Sequence, residues 1–149
     1  MEILKITIPE GFKVESFNKD SLELKLIPIP KDIKKLIKTF SDVLDYHGID
    51  SEDFDSETEN LEDDEVAYKK LKLIVSAYNE KEVPNFDDRN QRKYEPRFKL
   101  NYSGVGFSHG GEGRWNEVSG VGSRLCFLDY ENMKDAVSKF LDVYKMFYK

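Results

Sequence analysis

The chain has 149 residues, 39% of them hydrophobic and 35% charged, with a net charge of −6 and a mean hydropathy of −0.62. That length suits one domain burying about 70% of its unfolded surface, so a core can form without metal or disulfide staples. The only cysteine, Cys126, excludes an intramolecular disulfide, and no apolar run approaches the roughly 20 residues that cross a bilayer.

The first residues carry no charged-then-apolar leader, so a cytoplasmic location and no membrane partner are expected. Charge is uneven along the chain. Residues 50–65 contain ten acids and no base, and the rest holds 19 acids against 23 bases, a remainder of +4. The acidity belongs to one segment.

In chain order, Leu4, Ile6 and Ile8 alternate with Lys5 and Thr7, and Leu22, Leu24 and Leu26 alternate with Glu23 and Lys25. This is the period-two pattern of half-buried strands. Turn residues between them, Glu10-Gly11 and Asn18 to Ser21, predict an N-terminal antiparallel pair, with a weaker strand signal over 12–17. From Lys31 the period becomes helical, placing Ile33, Leu36, Ile37, Phe40, Val43 and Leu44 on one face, and Gly48 supplies the stop.

Residues 50–65 read as a mobile acidic linker, because few apolar anchors oppose the self-repulsion. Its last turn, Glu62 to Glu65, suits the positive end of the next helix. There Ala67, Leu71, Ile74, Val75 and Tyr78 form a broad apolar stripe, ended by Val83-Pro84. Phe98, Leu100 and Tyr102 alternate with Arg97, Lys99 and Asn101 as a third strand.

Seven of the nine glycines fall within 104–122, which predicts a long glycine-rich loop or a loosely paired hairpin around Trp115. A short strand over 124–128 follows, with Asp129 as N-cap of a last helix. That helix carries Met133, Ala136, Val137, Phe140, Leu141, Tyr144 and Phe147 on one stripe. The order β-β-α-α-β-(β)-β-α predicts one α+β domain over 1–149: a mainly antiparallel sheet of about four or five strands with three helices packed on it.

Three stretches carry a resemblance: Arg92-Lys93-Tyr94-Glu95-Pro96-Arg97-Phe98, Val121-Gly122-Ser123-Arg124-Leu125-Cys126-Phe127, and Phe140-Leu141-Asp142-Val143-Tyr144-Lys145. With these the chain resembles uncharacterised small proteins encoded by phages and integrated mobile elements of gut-dwelling bacteria. The likeness is best over 66–149, and the opening at Ile8 to Phe12 is also similar. It implies a phage-like origin and carries no activity, ligand or catalytic residue with it.

Glycine-rich stretches can cradle phosphates, but here His109 stands where the dinucleotide fingerprint needs glycine, and Glu112 where the Walker pattern needs lysine. Cys126 lies in an apolar run and reads as a small core residue, not a nucleophile. His47 suits the negative end of its helix. Two histidines 62 positions apart with one cysteine give no zinc pattern, and the acids at 50–55 lack the glycine of a calcium loop. No catalytic residue, metal or cofactor is therefore assigned, and an enzyme is not expected.

The binding candidates are Arg97, Phe107, His109, Arg114, Trp115 and Arg124, with Tyr94 and Tyr102 nearby in sequence. Arginine and aromatic side chains together suit phosphates, bases or a partner's hot-spot residues. The competing reading places the aromatics in the core and the arginines in solvent. The first functional expectation is a non-catalytic binding module for a host or phage protein or other macromolecule, acting through the glycine loop with Arg114 and Trp115. The second is a binder of an anionic small molecule or nucleotide, held by Arg97, Arg114 and Arg124. A third has the acidic segment mimic a polyanion and occupy a host nucleic-acid-binding protein. The weak remaining positive charge makes duplex DNA an unexpected partner. The aromatic end at Tyr144, Phe147 and Tyr148 suits a homodimer.

Overall fold

The computed structural model describes residues 6–29, 31–100, 107–115 and 123–148, with 100, 107–115 and 123 described by their backbone. An N-terminal antiparallel pair forms, but between different segments from those expected. Strand β1, Phe12–Asn18, pairs with β2, Glu23–Pro28, so the weaker signal over 12–17 is the true partner. The Asn18 side chain accepts from the Asp20 and Ser21 amides at 2.9 and 3.3 Å and closes a tight turn. A short loop costs less closure entropy than the long one that pairing 4–8 with 22–26 would need. Residues 6–9 are irregular, while Leu4 and Lys5 lie outside the described residues.

The expected first helix is two. Helix α1, Ile33–Leu36, ends where Ile37 turns extended, and α2, Phe40–His47, restarts behind a capping box made by Thr39 and Asp42. Gly48 ends α2 in the left-handed conformation with φ 67°, as its position predicts.

The acidic segment is not a bare linker. Asp50 accepts from the Glu52 and Asp53 amides and starts helix α3, Ser51–Thr58. Phe54 is buried and meets the edge of Phe40 at 5.2 Å. One N-cap and one aromatic anchor thus order a helix whose acids face solvent.

Helix α4, Asp63–Tyr78, starts on a second capping box, Glu62 with Glu65, and buries Ala67, Leu71, Ile74, Val75, Ala77 and Tyr78. It stops at Asn79, short of Val83-Pro84.

Strand β3, Lys93–Leu100, pairs with β4, Phe107–Trp115, in an antiparallel hairpin with an irregularity between Arg97 and Phe98. The middle of the expected glycine loop is therefore a strand. Residues 101–106 and 116–122, including Tyr102, lie outside the described residues. The expected strand at 124–128 is instead a 3₁₀ turn, Ser123–Leu125, followed by a bridge in which Phe127 and Tyr94 exchange both backbone bonds at 2.8 and 2.7 Å.

The last helix is also broken, into α5, Tyr130–Lys139, capped by Asp129, and α6, Leu141–Phe147, with Phe140 between them. The architecture is α+β as expected. Among the described residues, however, six α-helices accompany two separate two-stranded antiparallel sheets, in place of one larger sheet with three helices.

Among the described residues every buried hydrophobic residue lies at Ile33 or beyond. They cluster where α1, α2, α5 and α6 pack around α4, with Phe127 and the inner face of β3 closing one side. Among the described residues no helix is long and apolar enough to cross a membrane.

Candidate functional site

Two features of the surface are built in ways that packing alone does not require. The first is the β1–β2 ribbon. Register pairs Phe12 with Pro28, Val14 with Leu26 and Phe17 with Leu24. Cross-strand partners share a face, so all six lie together. Strict alternation from Phe12 and Val14 would bring Ser16 to that face. The bulge between Val14 and Ser16 inserts one residue and brings Phe17 there instead. The opposite face carries Lys13, Ser16, Asn18, Glu23 and Lys25 with one apolar residue, Ile27, and Lys25 pairs with Glu15 at 2.5 Å.

The apolar face is open: Phe12, Val14 and Phe17 are 42%, 42% and 46% exposed. Ile6, Ile8, Leu22 and Ile29 are exposed too, so seven of the ten exposed large hydrophobics among the described residues come from 6–29. The ribbon's principal contacts are within itself.

The second feature is a cavity of about 350 Å³ at the C-terminal end of α4. Lys72 and Val75 come from the helix, Lys81 and Phe86 from the connection after it, and Arg124 from the 3₁₀ turn. The buried Asn79 joins these parts. Its side-chain amide donates to the Cys126 carbonyl at 3.0 Å, and its carbonyl accepts from the Leu128 amide at 2.9 Å. Arg124, two residues before Cys126, is thereby held over the end of α4. Asn132 adds a bond to the Tyr78 carbonyl at 3.0 Å.

The six residues expected to form one site fall on two parts of the chain, the β3–β4 hairpin and the 3₁₀ turn. In the β3–β4 register Arg114 stands opposite Tyr94, Trp115 opposite Lys93, His109 opposite Phe98 and Phe107 opposite Leu100, with Arg97 opposite Gly111. Five of them thus share one hairpin. Arg124 lines the α4 cavity with Lys72 and Lys81, and Arg97 is not among the described residues around it. Lys72, Lys81 and Phe86 carry no motif and were invisible in the sequence, because only the turn after α4 brings them to Arg124.

Burial pushes the Cys126 thiol up to about 11, which keeps it protonated and unreactive near neutral pH. His47 bonds through Nε2 to the Leu73 carbonyl at 2.9 Å and ties α2 to α4. Lys93 is wholly buried on β3, and its ammonium donates to the Asp88 and Gln91 carbonyls at 3.1 and 2.9 Å.

A network unseen in the sequence joins Tyr78, Asp135 and Lys139. The Tyr78 hydroxyl donates to Asp135 at 2.7 Å, and Lys139 donates to Asp135 and to the carbonyls of Lys34 and Ile37 at 2.6, 2.6 and 2.8 Å. Burial, then Asp135, pushes the Tyr78 hydroxyl far above its ordinary range. All three donors of the ammonium are engaged, which makes this a brace between α1, α4 and α5. Among the described residues no group of three or more His, Cys, Asp or Glu side chains could hold a metal ion.

No family model, curated protein or solved structure matches the chain.

Proposed function

We propose that the chain is a non-catalytic binding protein that uses its β1–β2 ribbon to dock on a partner protein, of the host or of a phage as the sequence resemblance implies. The observation that carries this reading is the concentration on residues 6–29 of seven of the ten exposed large hydrophobics among the described residues. A two-stranded ribbon is marginal in water and gains stability when its apolar face is covered. A bulge that keeps Phe17 beside Phe12 and Val14 serves a surface that something covers, since alternation alone would have left that face more polar. The partner presents a mainly apolar strip to this face. Lys13, Glu15 and Lys25, on or beside the other face, stay in water.

The test places a photo-reactive phenylalanine analogue at position 17 and cross-links in extract of the native host. It is repeated with Phe12→Ser added and, separately, with the Phe12→Ser/Phe17→Ser pair followed by affinity capture. One partner cross-linked at the ribbon, and lost from the double variant while the core melts as before, is the expected result. Equal capture by wild type and double variant would sink the reading. Cross-links only to a second copy of the chain would replace the foreign partner with a homodimer.

A further inference from the structure

Independently of the ribbon, we infer that the cavity at the end of α4 is a binding site for a nucleoside monophosphate, its phosphate held by Arg124, Lys72 and Lys81 and its base lying against Phe86.

The charge argument comes first. The chain has more acids than bases, yet among the described residues three cations line this cavity against one carboxylate, Glu82. Among the described residues none of the three makes an ion pair. Lys72 and Lys81 rest instead over the rings of Tyr68 and Tyr46, at 5.3 and 5.2 Å. Such exposed contacts are worth only about 0.5–1 kcal/mol, so both ammonium groups can swing to a phosphate at little cost. Arginine with two lysines is a common donor set for a phosphate dianion.

A helix C-terminus normally repels anions, because its last carbonyls point outward. Here they are consumed. The Val75, Ser76 and Ala77 carbonyls accept from the Asn79, Lys81 and Glu80 amides at 2.9, 2.8 and 2.9 Å, and the Tyr78 carbonyl accepts from Asn132. This bonding is a Schellman closure, which usually places glycine in the left-handed position. Glu80 holds that position at φ 51°, and Lys81 after it is left-handed as well at φ 64°. Each such residue costs about 1 kcal/mol or more. The strain brings the Lys81 side chain, which glycine could not supply, to the wall of the cavity.

The apolar lining sets the rest of the ligand. Val75, Val83, Pro84 and Phe86 form it, and Val83 and Phe86 leave apolar surface exposed. A volume of about 350 Å³ lies near the lower end of ligand sites. It admits one ring system with one phosphate group. An aromatic face beside cations is the arrangement that stacks a base while its phosphate is neutralised.

The experiment titrates the full chain by calorimetry with AMP, GMP, CMP and UMP, and separately with adenosine and inorganic phosphate. At least one monophosphate is expected to bind with one-to-one stoichiometry, and adenosine and phosphate each at least about tenfold more weakly. Arg124→Met, at an exposed position away from the core, should melt like wild type and weaken the monophosphate by roughly tenfold or more. Phe86→Ala should narrow the gap between the monophosphate and inorganic phosphate. No binding by wild type at millimolar ligand, or equal affinity in wild type and Arg124→Met, would overturn the assignment. So would inorganic phosphate binding as tightly as the monophosphates.

Discussion

Tyr144 and Tyr78 show how differently one residue type can end. Both fall on apolar helical stripes that the sequence displays, and both are buried. The Tyr78 hydroxyl finds Asp135, fifty-seven positions away. That of Tyr144 has no hydrogen-bond partner among the described residues, while its ring packs on Phe98 at 4.9 Å between centroids. A buried hydroxyl without a partner costs about 1–3 kcal/mol. Tyr144→Phe keeps the ring contact and removes that cost, so urea unfolding should show a gain of about 1 kcal/mol. A loss would mean that the hydroxyl is satisfied in solution. The periodicity of 3.6 makes the burial of both rings legible. It cannot reveal which hydroxyl meets a carboxylate, because that depends on the pairing of α4 with α5.

Among the elements, the caps were more legible than the lengths. Gly48 and Asp129 act at helix ends as their residue types predict, and the last acids of the acidic segment cap α4. The helix break at 37–39 is not legible in the sequence, since Ile33, Ile37, Val43 and Leu44 are buried with or without a continuous helix. The break is set by Asp42, whose carboxylate accepts from the Lys38 amide, the Thr39 amide and the Thr39 hydroxyl at 2.9, 2.7 and 3.0 Å. Burial alone would raise its pKa, but those bonds and the Lys38 charge outweigh it and hold the group below the ordinary 3.8. A depressed folded pKa means stability that is present above the unfolded value and lost as the pH falls through the folded one. Asp42→Asn should therefore cost about 1 kcal/mol at pH 7. The penalty should shrink below about pH 4, where the unfolded carboxyl begins to protonate, and vanish as the pH falls through the lower folded value. Chemical unfolding at both pH values measures it, and a penalty independent of pH would assign the loss to geometry instead of charge.

At the scale of the molecule, the order of elements was readable and their association was not. Strand pairing is non-local, so alternation at 4–8 and at 12–17 could compete for β2 without either betraying the outcome. The seven glycines hid β4 for the same reason: the partner that makes it a strand is β3, not its own composition. The distribution of burial leads to the largest consequence. All the buried hydrophobics among the described residues, from Ile33 to Tyr144, lie outside the ribbon, whose strands make their principal contacts with each other. Hydrophobic burial supplies most of the drive to fold, so the ribbon adds little to global stability and opens on its own. Two measurements follow from one cause. Amides of β1 and β2 should exchange with solvent well before those of α4, under conditions where the core stays closed. A chain shortened to residues 30–149 should melt within about 3 °C of the full one, the shift that roughly 1 kcal/mol gives at this size. If the ribbon exchanged as slowly as α4, or its removal collapsed the melting transition, residues 6–29 would be structural and the docking role would fall with that result. If the core is indifferent to their loss, the apolar face over Phe12, Val14 and Phe17 is maintained for contact with another molecule.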